Sequence, residues 1–337
     1  MTSTEATNLD NLILMATKDG MPYLPAQIKS LQQQVNSNWQ LLVRDDGSTD
    51  GTFELLTKVA SKDSRISIHP TSGQESGSAR NNFCRLLESA ADIPAKAIFL
   101  CDQDDIWWPS KLEIMAEKLS VSDELPTLVV SDLRIVAASG EPVGSTFWAS
   151  HRAAALIETP SRLLEELCTR NIFPGCSMAF NRHLLQQILP LPEAAIMHDW
   201  WIALIAAVVG EIQIIGDPLL DYRQHTSNEI GETNLFALAS SLAFSPSNWV
   251  KVKADFELTF KQVCAAKLAT TRINTDLATE NTLSKQQTLE WYLALRHLSP
   301  FGSVRSAWKS GVREVSTPLR LALLLHLFLM KRGSCKV

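Results

Sequence analysis

Residues 97–108 read AIFLCDQDDIWW, Ala97-Ile98-Phe99-Leu100-Cys101-Asp102-Gln103-Asp104-Asp105-Ile106-Trp107-Trp108. Five apolar residues in a row are the pattern of a strand buried on both faces. The run passes directly into three carboxylates within four residues. Like charges at that spacing repel, and the cluster is costly unless a cation or hydrogen-bond donors compensate. Oxygen ligands suit Mg²⁺ or Mn²⁺, which keep bound waters and bridge to phosphates. The alternative is a solvated acidic turn ahead of a helix near Pro109. Against it, Ile106-Trp107-Trp108 follow at once, so the cluster is not set among surface residues.

Outward from this segment, short apolar runs alternate with helical patterns. Residues 12–16 (LILMA) form a strand. Pro25 opens a helix with Ile28, Leu31 and Val35 at helical spacing. A strand at 41–44 ends in Asp45-Asp46-Gly47-Ser48-Thr49-Asp50. Asp50 is the expected cap of a helix from about 51 that turns Leu56, Val59 and Ala60 inward. RISIH at 65–69 is a third strand, and residues 79–90 form a helix with Ala79, Phe83, Leu86, Leu87 and Ala90 on one face. The helix after the acidic cluster buries Leu112, Met115 and Leu119, and a strand follows at 127–136. This alternation predicts an α/β layer structure with a mostly parallel sheet. The middle is mixed: a helix near 160–168, a strand in PGCSMAF (174–180), a helix from about 198 and a strand at 211–215. Beyond 235 the pattern is helical, with a joint expected at Ser245-Pro246-Ser247-Asn248.

Composition narrows the function. The chain has 337 residues, 45% hydrophobic and 20% charged, enough to bury a core and too apolar for wholesale disorder. A net charge of −5 excludes a generally basic nucleic-acid binder. No apolar run reaches the 18 residues or so that a membrane span needs, and the first residues lack a secretory pattern. The six cysteines are scattered without a C-x-x-C pair, which fits a reducing cytoplasm better than a zinc or disulfide scaffold. Residues 1–246 carry 17 Lys+Arg against 30 Asp+Glu, whereas residues 247–337 carry 14 against 6. We therefore expect two regions, a domain at 1–235 and a basic helical region at 236–337.

Ligands of open α/β sheets bind beyond the carboxyl ends of the strands. Two acidic clusters fall there. Asp46 can accept from a base N–H or a ribose hydroxyl, since two adjacent carboxylates exceed what one turn needs. Asp102, Asp104 and Asp105 suit a cation on a phosphate. Gly77-Ser78-Ala79-Arg80 opens a helix, a place for phosphate or a nucleotide edge or for a mere surface arginine. His198-Asp199-Trp200-Trp201 begins an apolar helix; Asp199 is either a cap or a base tuned by its semi-apolar surroundings. Tyr222-Arg223-Gln224-His225 offers a third ligand in His225, although a lone His is more often structural.

Taken in order, Thr17-Lys18-Asp19-Gly20, Arg44 to Asp50, Gly77-x-Ala79-Arg80-Asn81, Asp102 to Asp105, Gly175 with Phe180 and Arg182, His198-Asp199-Trp200 and Tyr222 to His225 resemble the family 2 inverting glycosyltransferases of GT-A (Rossmann-like) fold. Within that family the chain looks most like bacterial rhamnosyltransferases of surface polysaccharide synthesis, a likeness carried by Cys101 to Trp107 and by the Tyr-Arg-Gln-His ending. The resemblance covers roughly residues 10–231 and not the C-terminal hundred. It implies a nucleotide-sugar donor, dTDP-rhamnose in the narrower match, and a glycan or lipid-linked acceptor. It implies that Thr17, Lys18, Asp46, Arg80 and Asp102 bind the donor. It implies that Asp102 and Asp104, with Asp105 and His225, hold a divalent metal, Mg²⁺ or Mn²⁺, Asp104 being the closer ligand. It makes Asp199 the catalytic base. Relatives often carry a base-stacking Tyr followed by Asn after the first strand, where this chain has Lys18 and Asp19.

Two other classes compete. A D-x-D phosphatase would use Asp102 as nucleophile, but Trp107 fits its pattern poorly and Asp46 and Asp199 are left without a task. A non-catalytic sugar- or nucleotide-binding subunit would be favoured by loss of Asp104 or Asp199, and both are present. No G-x-G-x-x-G follows a strand, which disfavours a dinucleotide dehydrogenase.

The C-terminal region carries one further signal. Residues 319–330, LRLALLLHLFLM, are apolar apart from Arg320 and His326, and Lys331, Arg332 and Lys336 flank them. Such a segment is too short to span a bilayer. It is suited either to lie on the anionic inner leaflet of the cytoplasmic membrane or to be a buried core helix or dimer contact. Sedimentation with anionic liposomes separates the two. Membrane attachment predicts co-sedimentation that weakens with salt and falls when residues 304–337 are removed; a supernatant protein at low salt means core helix.

Overall fold

A computed structural model describes residues 9–121, 124–150, 162–225, 246–271 and 280–294. The chain divides into two compact units: Met1–Leu163, Asn171–Leu191 and Met197–Ser227 form the first, and Leu164–Arg170, Pro192–Ile196 and Asn228–Val337 the second.

The first unit is built on one mixed sheet. Its strands are β1 (Asn11–Thr17), β2 (Trp39–Asp45), β3 (Ile66–Ile68), β4 (Ala97–Cys101), β5 (Ile106–Trp107), β6 (Thr127–Ala137), β7 (Pro142–Thr146), β8 (Met178–Asn181) and β9 (Glu211–Gln224). The order is β3-β2-β1-β4-β8-β6-β9-β5, with β7 hydrogen-bonded to β6. Parallel pairing joins β3, β2, β1 and β4, and also β6 with β9. Strand β8 lies antiparallel between β4 and β6, so six strands share one direction, as the alternating pattern predicts. Strand β1 is central because its apolar run is buried throughout, with Ile13 in register with Leu41 on one side and Phe99 on the other.

Helices cover both faces. Ile13, Met15, Leu41, Val43 and Phe99 share one core cluster with Leu24, Ile28 and Leu31 of α1 (Leu24–Gln32), Leu56 of α2 (Thr52–Ala60), and Leu112, Met115 and Leu119 of α4 (Lys111–Ser120). Helix α3 (Ala79–Ala90) packs against β1 and β2 and buries Phe83, Leu86, Leu87 and Ala90. Arg182 donates to the carbonyls of Ala90, Ala91 and Ile93 and so closes the end of α3. Two further short helices of this unit are α5 (Phe147–Ser150) and α7 (Arg182–Ile188); between them in sequence, α6 (Leu163–Leu167) falls almost wholly in the second unit. Helix α8 (His198–Val209) is buried almost all round and turns into β9 at Gly210. A Cβ at Gly210 would lie 1.8 Å from the Pro126 carbonyl oxygen, so only glycine lets the two segments meet.

Several local expectations are corrected. Val35 lies beyond the end of α1 and is 63% exposed, because the helix stops at Gln32 without completing its third turn. Gly51, at φ 95°, occupies the cap position of α2, and Asp50 reaches in from outside to accept the Thr52 amide at 3.0 Å. The segment 174–180 is not all strand: Gly175–Ser177 form a 3₁₀ turn and β8 begins at Met178. The strand expected at 211–215 continues through register shifts to Gln224, so Tyr222 and Arg223 are strand residues. The joint expected at 245–248 is helical from Pro246.

In the second unit, α9 (Pro246–Thr271) and α10 (Glu280–Ala294) pack on each other. The rings of Phe260 and Tyr292 are 5.0 Å apart and Lys267 pairs with Glu290 at 3.1 Å. The expected boundary at 235/236 and the apolar segment 319–330 lie outside the described residues. Among the described residues no helix is long and apolar enough to cross a membrane.

Candidate active site

Parallel β1, β2 and β4 end at the same edge, which gathers their following loops. Thr17 donates its hydroxyl to Asp45 at 3.0 Å, and Asp45 also accepts from Ser48 and from the Gly47 and Ser48 amides. Asp45 is thus spent on the turn. Asp46 accepts from the Arg44 guanidinium at 2.9 Å and from the Ser76 amide. Burial works to raise its pKa, but these donors outweigh it and hold the carboxyl below the usual value.

Lys18 stands where the resemblance places a stacking ring, and its ammonium is engaged elsewhere. It donates to the carbonyls of Asp46 (3.0 Å) and Gly47 (2.8 Å) and to Glu75 (3.1 Å), strapping the loop after β2. Its backbone is clasped by Gln103, whose amide accepts from Lys18 N–H at 2.9 Å and donates to Lys18 C=O at 2.8 Å. A Cβ at Gly20 would lie 2.4 Å from that amide oxygen, so a side chain there would push Gln103 off Lys18. The clasp ties the loop after β1 to the acidic loop after β4. Arg80 is half-buried in the first turn of α3 and donates to Asn81 at 2.7 Å.

The acidic loop is held from below by β9. Strand β5 pairs antiparallel with β9, matching Ile106 to Asp221 and Trp107 to Leu220. Arg223 N–H donates to Asp105 at 3.2 Å, and the Arg223 guanidinium donates to the Asp104 carbonyl at 2.9 Å. His225 Nε2 and Asp104 Oδ2 are hydrogen-bonded at 2.8 Å. The Tyr23 ring stacks on His225 at 4.6 Å, with the Arg223 guanidinium 4.9 Å from the same ring. Asp102 and Asp104 are partly accessible, whereas Asp105 is buried. Burial, then the charges of Asp104 and Asp102, push the Asp105 carboxyl well above its usual range.

One ligand atom each from Asp102, Asp105 and Cys176 lies within 4.8 Å of the others. Burial, followed by Asp105 and Asp102, raises the Cys176 thiol well above its ordinary value; as a soft donor, sulfur is also ill matched to a hard divalent cation. Asp102 and Asp104 offer the accessible carboxylate oxygens of this loop, and Asp104 is bonded to His225. Such a set fits a hard divalent cation.

Asp199 is buried at the start of α8. Its Oδ2 accepts from Gly175 N–H at 3.0 Å and its Oδ1 from Trp200 N–H at 2.7 Å. Gly175 is the first residue of the 3₁₀ turn and Cys176 the second, so one turn touches both Asp199 and the acidic cluster. The acidic motif and Asp199, far apart in sequence, therefore meet at one turn. Residues to which the sequence reading gave no task complete the site: Tyr23, Arg44, Gln103, Lys111 and Cys176. A lysine on the apolar face of α4, beside Leu112 and Met115, was the one readable signal among them.

His198 lies beside Asp199 with its ring stacked on Phe83 at 4.0 Å, and among the described residues neither ring nitrogen has a hydrogen-bond partner. Burial lowers its pKa from 6.5, Asp199 opposes the shift and Arg80 adds to it. The unfolded imidazole protonates near 6.5 while the folded one resists. The associated stability is therefore complete above about pH 6.5 and is lost as pH falls. His69 is shifted in the same direction by burial. His198→Phe, which keeps a ring on Phe83, is expected to flatten the fall in Tm between pH 6.5 and about pH 5 without abolishing it. Thermal melts across that range check this, and an unchanged slope refutes it.

The chain matches the Glycosyl transferase family 2 description over residues 12–189. It is 26% identical over 226 residues to the dTDP-rhamnosyl transferase RfbG of Shigella flexneri, covering 64% of this chain and 73% of that protein. It is also 26% identical over 211 residues to an uncharacterized glycosyltransferase of Nostoc sp., covering 61% of this chain and 62% of the relative, under two thirds of its length. Among solved structures, Staphylococcus aureus TarS 1–349 in complex with UDP-GlcNAc superposes with a TM-score of 0.52 at 15% identity, over 93% of this chain and 78% of that one. The mannosyltransferase PcManGT from Pyrobaculum calidifontis in complex with GDP-Man and Mn²⁺ gives 0.52 at 14% identity, over 96% and 86%. At these identities the structural likenesses speak for the fold alone. With the family pattern spanning β1 through the end of α7 and the acidic motifs at the shared strand edge, the chain belongs to glycosyltransferase family 2, on a GT-A fold.

Proposed function

We propose that this protein transfers a sugar from a nucleotide-sugar donor to a hydroxyl of a growing bacterial surface glycan, with inversion at the anomeric carbon. The proposed donor is dTDP-L-rhamnose, a reading supported by the resemblance of the Cys101–Trp107 segment and by the similarity to RfbG. The observation that carries the proposal is the Gly175–Cys176 turn, which contacts the Asp199 carboxylate on one side and the acidic cluster on the other. A base and a diphosphate-holding cluster at two ends of one turn are what a single in-line displacement needs.

In this reading the base of the nucleotide lies by Asp46 and Lys18, beside Thr17, and Arg80 contacts the nucleotide edge. Asp102, Asp104 and Asp105, with His225, would hold a divalent cation, Mg²⁺ or Mn²⁺, that neutralises the departing diphosphate. The acceptor oxygen bonds to the anomeric carbon as the bond to the donor phosphate oxygen breaks. Its proton passes to Asp199, and the nucleoside diphosphate departs. Two backbone donors fix the plane of Asp199, and burial keeps bulk water from competing with the acceptor. No enzyme nucleophile takes part. Residues 1–235 would carry this chemistry, and the basic region 236–337 would attach the enzyme to the cytoplasmic face of the membrane, where a lipid-linked acceptor is presented.

The donor is identified by a thermal-shift screen of nucleotide sugars with and without Mn²⁺, since a ligand of the native state raises Tm by mass action. Asp199→Asn is expected to lower turnover by roughly 10²–10⁴-fold with donor affinity retained. Near-normal release of nucleoside diphosphate by that variant would reduce Asp199 to a helix cap. Asp104→Ala is expected to weaken donor binding and turnover together. A variant that binds donor normally and turns over in chelator would overturn the metal assignment.

A further inference from the structure

Lys111 has no exposed surface. It stands in the first turn of α4, flanked by Leu112 and Met115, at a position whose neighbours all belong to the core. Its ammonium makes no ion pair within 4.0 Å among the described residues. It donates to the Cys176 carbonyl at 3.1 Å, lies 3.4 Å from the Met115 sulfur and sits 4.9 Å from the centre of the Trp107 ring. A lysine buried this way costs stability, and a methionine would fill the same space without that cost. Burial lowers its pKa to about 8, with Cys176, Cys101 and Asp105 opposing, so the group keeps its proton and its donors at neutral pH.

The oxygen it serves among the described residues is informative. Cys176 is the middle residue of the Gly175–Ser177 turn, and the adjacent Gly175 N–H is the donor to Asp199 Oδ2. Gly175 is also confined on its other side: a Cβ there would meet His198 Nε2 at 3.2 Å and the Asp199 Cβ at 3.5 Å. The turn therefore has an anchor beneath it and the base above it.

We propose that Lys111 is a positioning residue: by holding the Cys176 carbonyl from within the core, it fixes the turn whose Gly175 N–H orients the Asp199 carboxylate. The catalytic part of this inference rests on Asp199 being the base; the positioning part does not.

Pro174-Gly175 is the only Pro-Gly pair in the chain. Full-length protein labelled with ¹³C′-proline and ¹⁵N-glycine therefore reports the Gly175 amide as a single selected resonance. Three samples are compared: wild type, Asp199→Asn and Lys111→Met. The expected result is that Lys111→Met folds with a Tm equal to or above wild type, while its Gly175 amide proton moves in the same direction as in Asp199→Asn. With a donor in hand, its turnover falls roughly 10–100-fold at unchanged donor KM, the usual scale for a base displaced without contact to substrate. A Gly175 resonance left at the wild-type position overturns the inference, as does failure of Lys111→Met to fold, which would assign the lysine to stability. If Asp199→Asn keeps turnover while the Gly175 resonance responds to Lys111→Met as expected, the positioning stands and the assignment of the base falls.

Discussion

Carboxylates crowd the carboxyl edge of this sheet, and each must find a donor within the fold. Asp45 takes the turn amides of Gly47 and Ser48, Asp46 takes Arg44 and Ser76, and Asp50 takes Thr52 and Met21. Asp104 pairs with His225, Asp105 with the Arg223 amide, and Asp221 with Arg134 and Trp108. Without these partners, charges this close in a partly dry site would repel and neutralise. The site is thus a set of acids held in place by a surrounding scaffold of donors, with Asp102 and Asp104 partly accessible beside the buried Asp105.

That scaffold is long-range. The acidic loop follows β4, yet it is clamped by Arg223 at the far end of β9 and by the amide of Gln103 reaching to Lys18 after β1. Strand β9 reaches this position because it continues past two register shifts along β6 and then pairs with β5. An extra residue in one strand bends it and re-aims the side chains beyond. Here the irregularity carries Tyr222, Arg223 and His225 to the edge where Asp104 lies.

The same logic explains residues that look misplaced by type. Arg44 is buried in a strand because it serves Asp46, Asn82 and the loop carbonyls of Thr71 and Gln74. Arg182 is spent on the carbonyl end of α3, the helix whose Phe83 backs His198. Lys18 trades a ring's stacking surface for three oxygen contacts. In each case a cation is placed where unsatisfied oxygens accumulate.

The α/β alternation, the central strands and the order of the acidic motifs were legible in the amino-acid sequence alone. Uninterrupted apolar runs such as 12–16 and 97–101 have few ways to be buried, and short motifs at strand ends are local features. The same reading marked Asp46, Asp102, Asp104, Asp199 and His225 as residues of one site. Long-range packing settled what local pattern does not encode. Val35 was left exposed by an early helix end, and Gly175–Ser177 forms a turn that touches Asp199 on one side and the acidic cluster on the other. Strand β9 ran on to Gln224 because pairing with β6 and β5 stabilises residues whose own pattern is weak. Gln103, Tyr23 and Lys111 acquired their tasks only when partners distant in sequence came within hydrogen-bonding or stacking range, since such contacts depend on distance in space and leave no periodic trace in the chain.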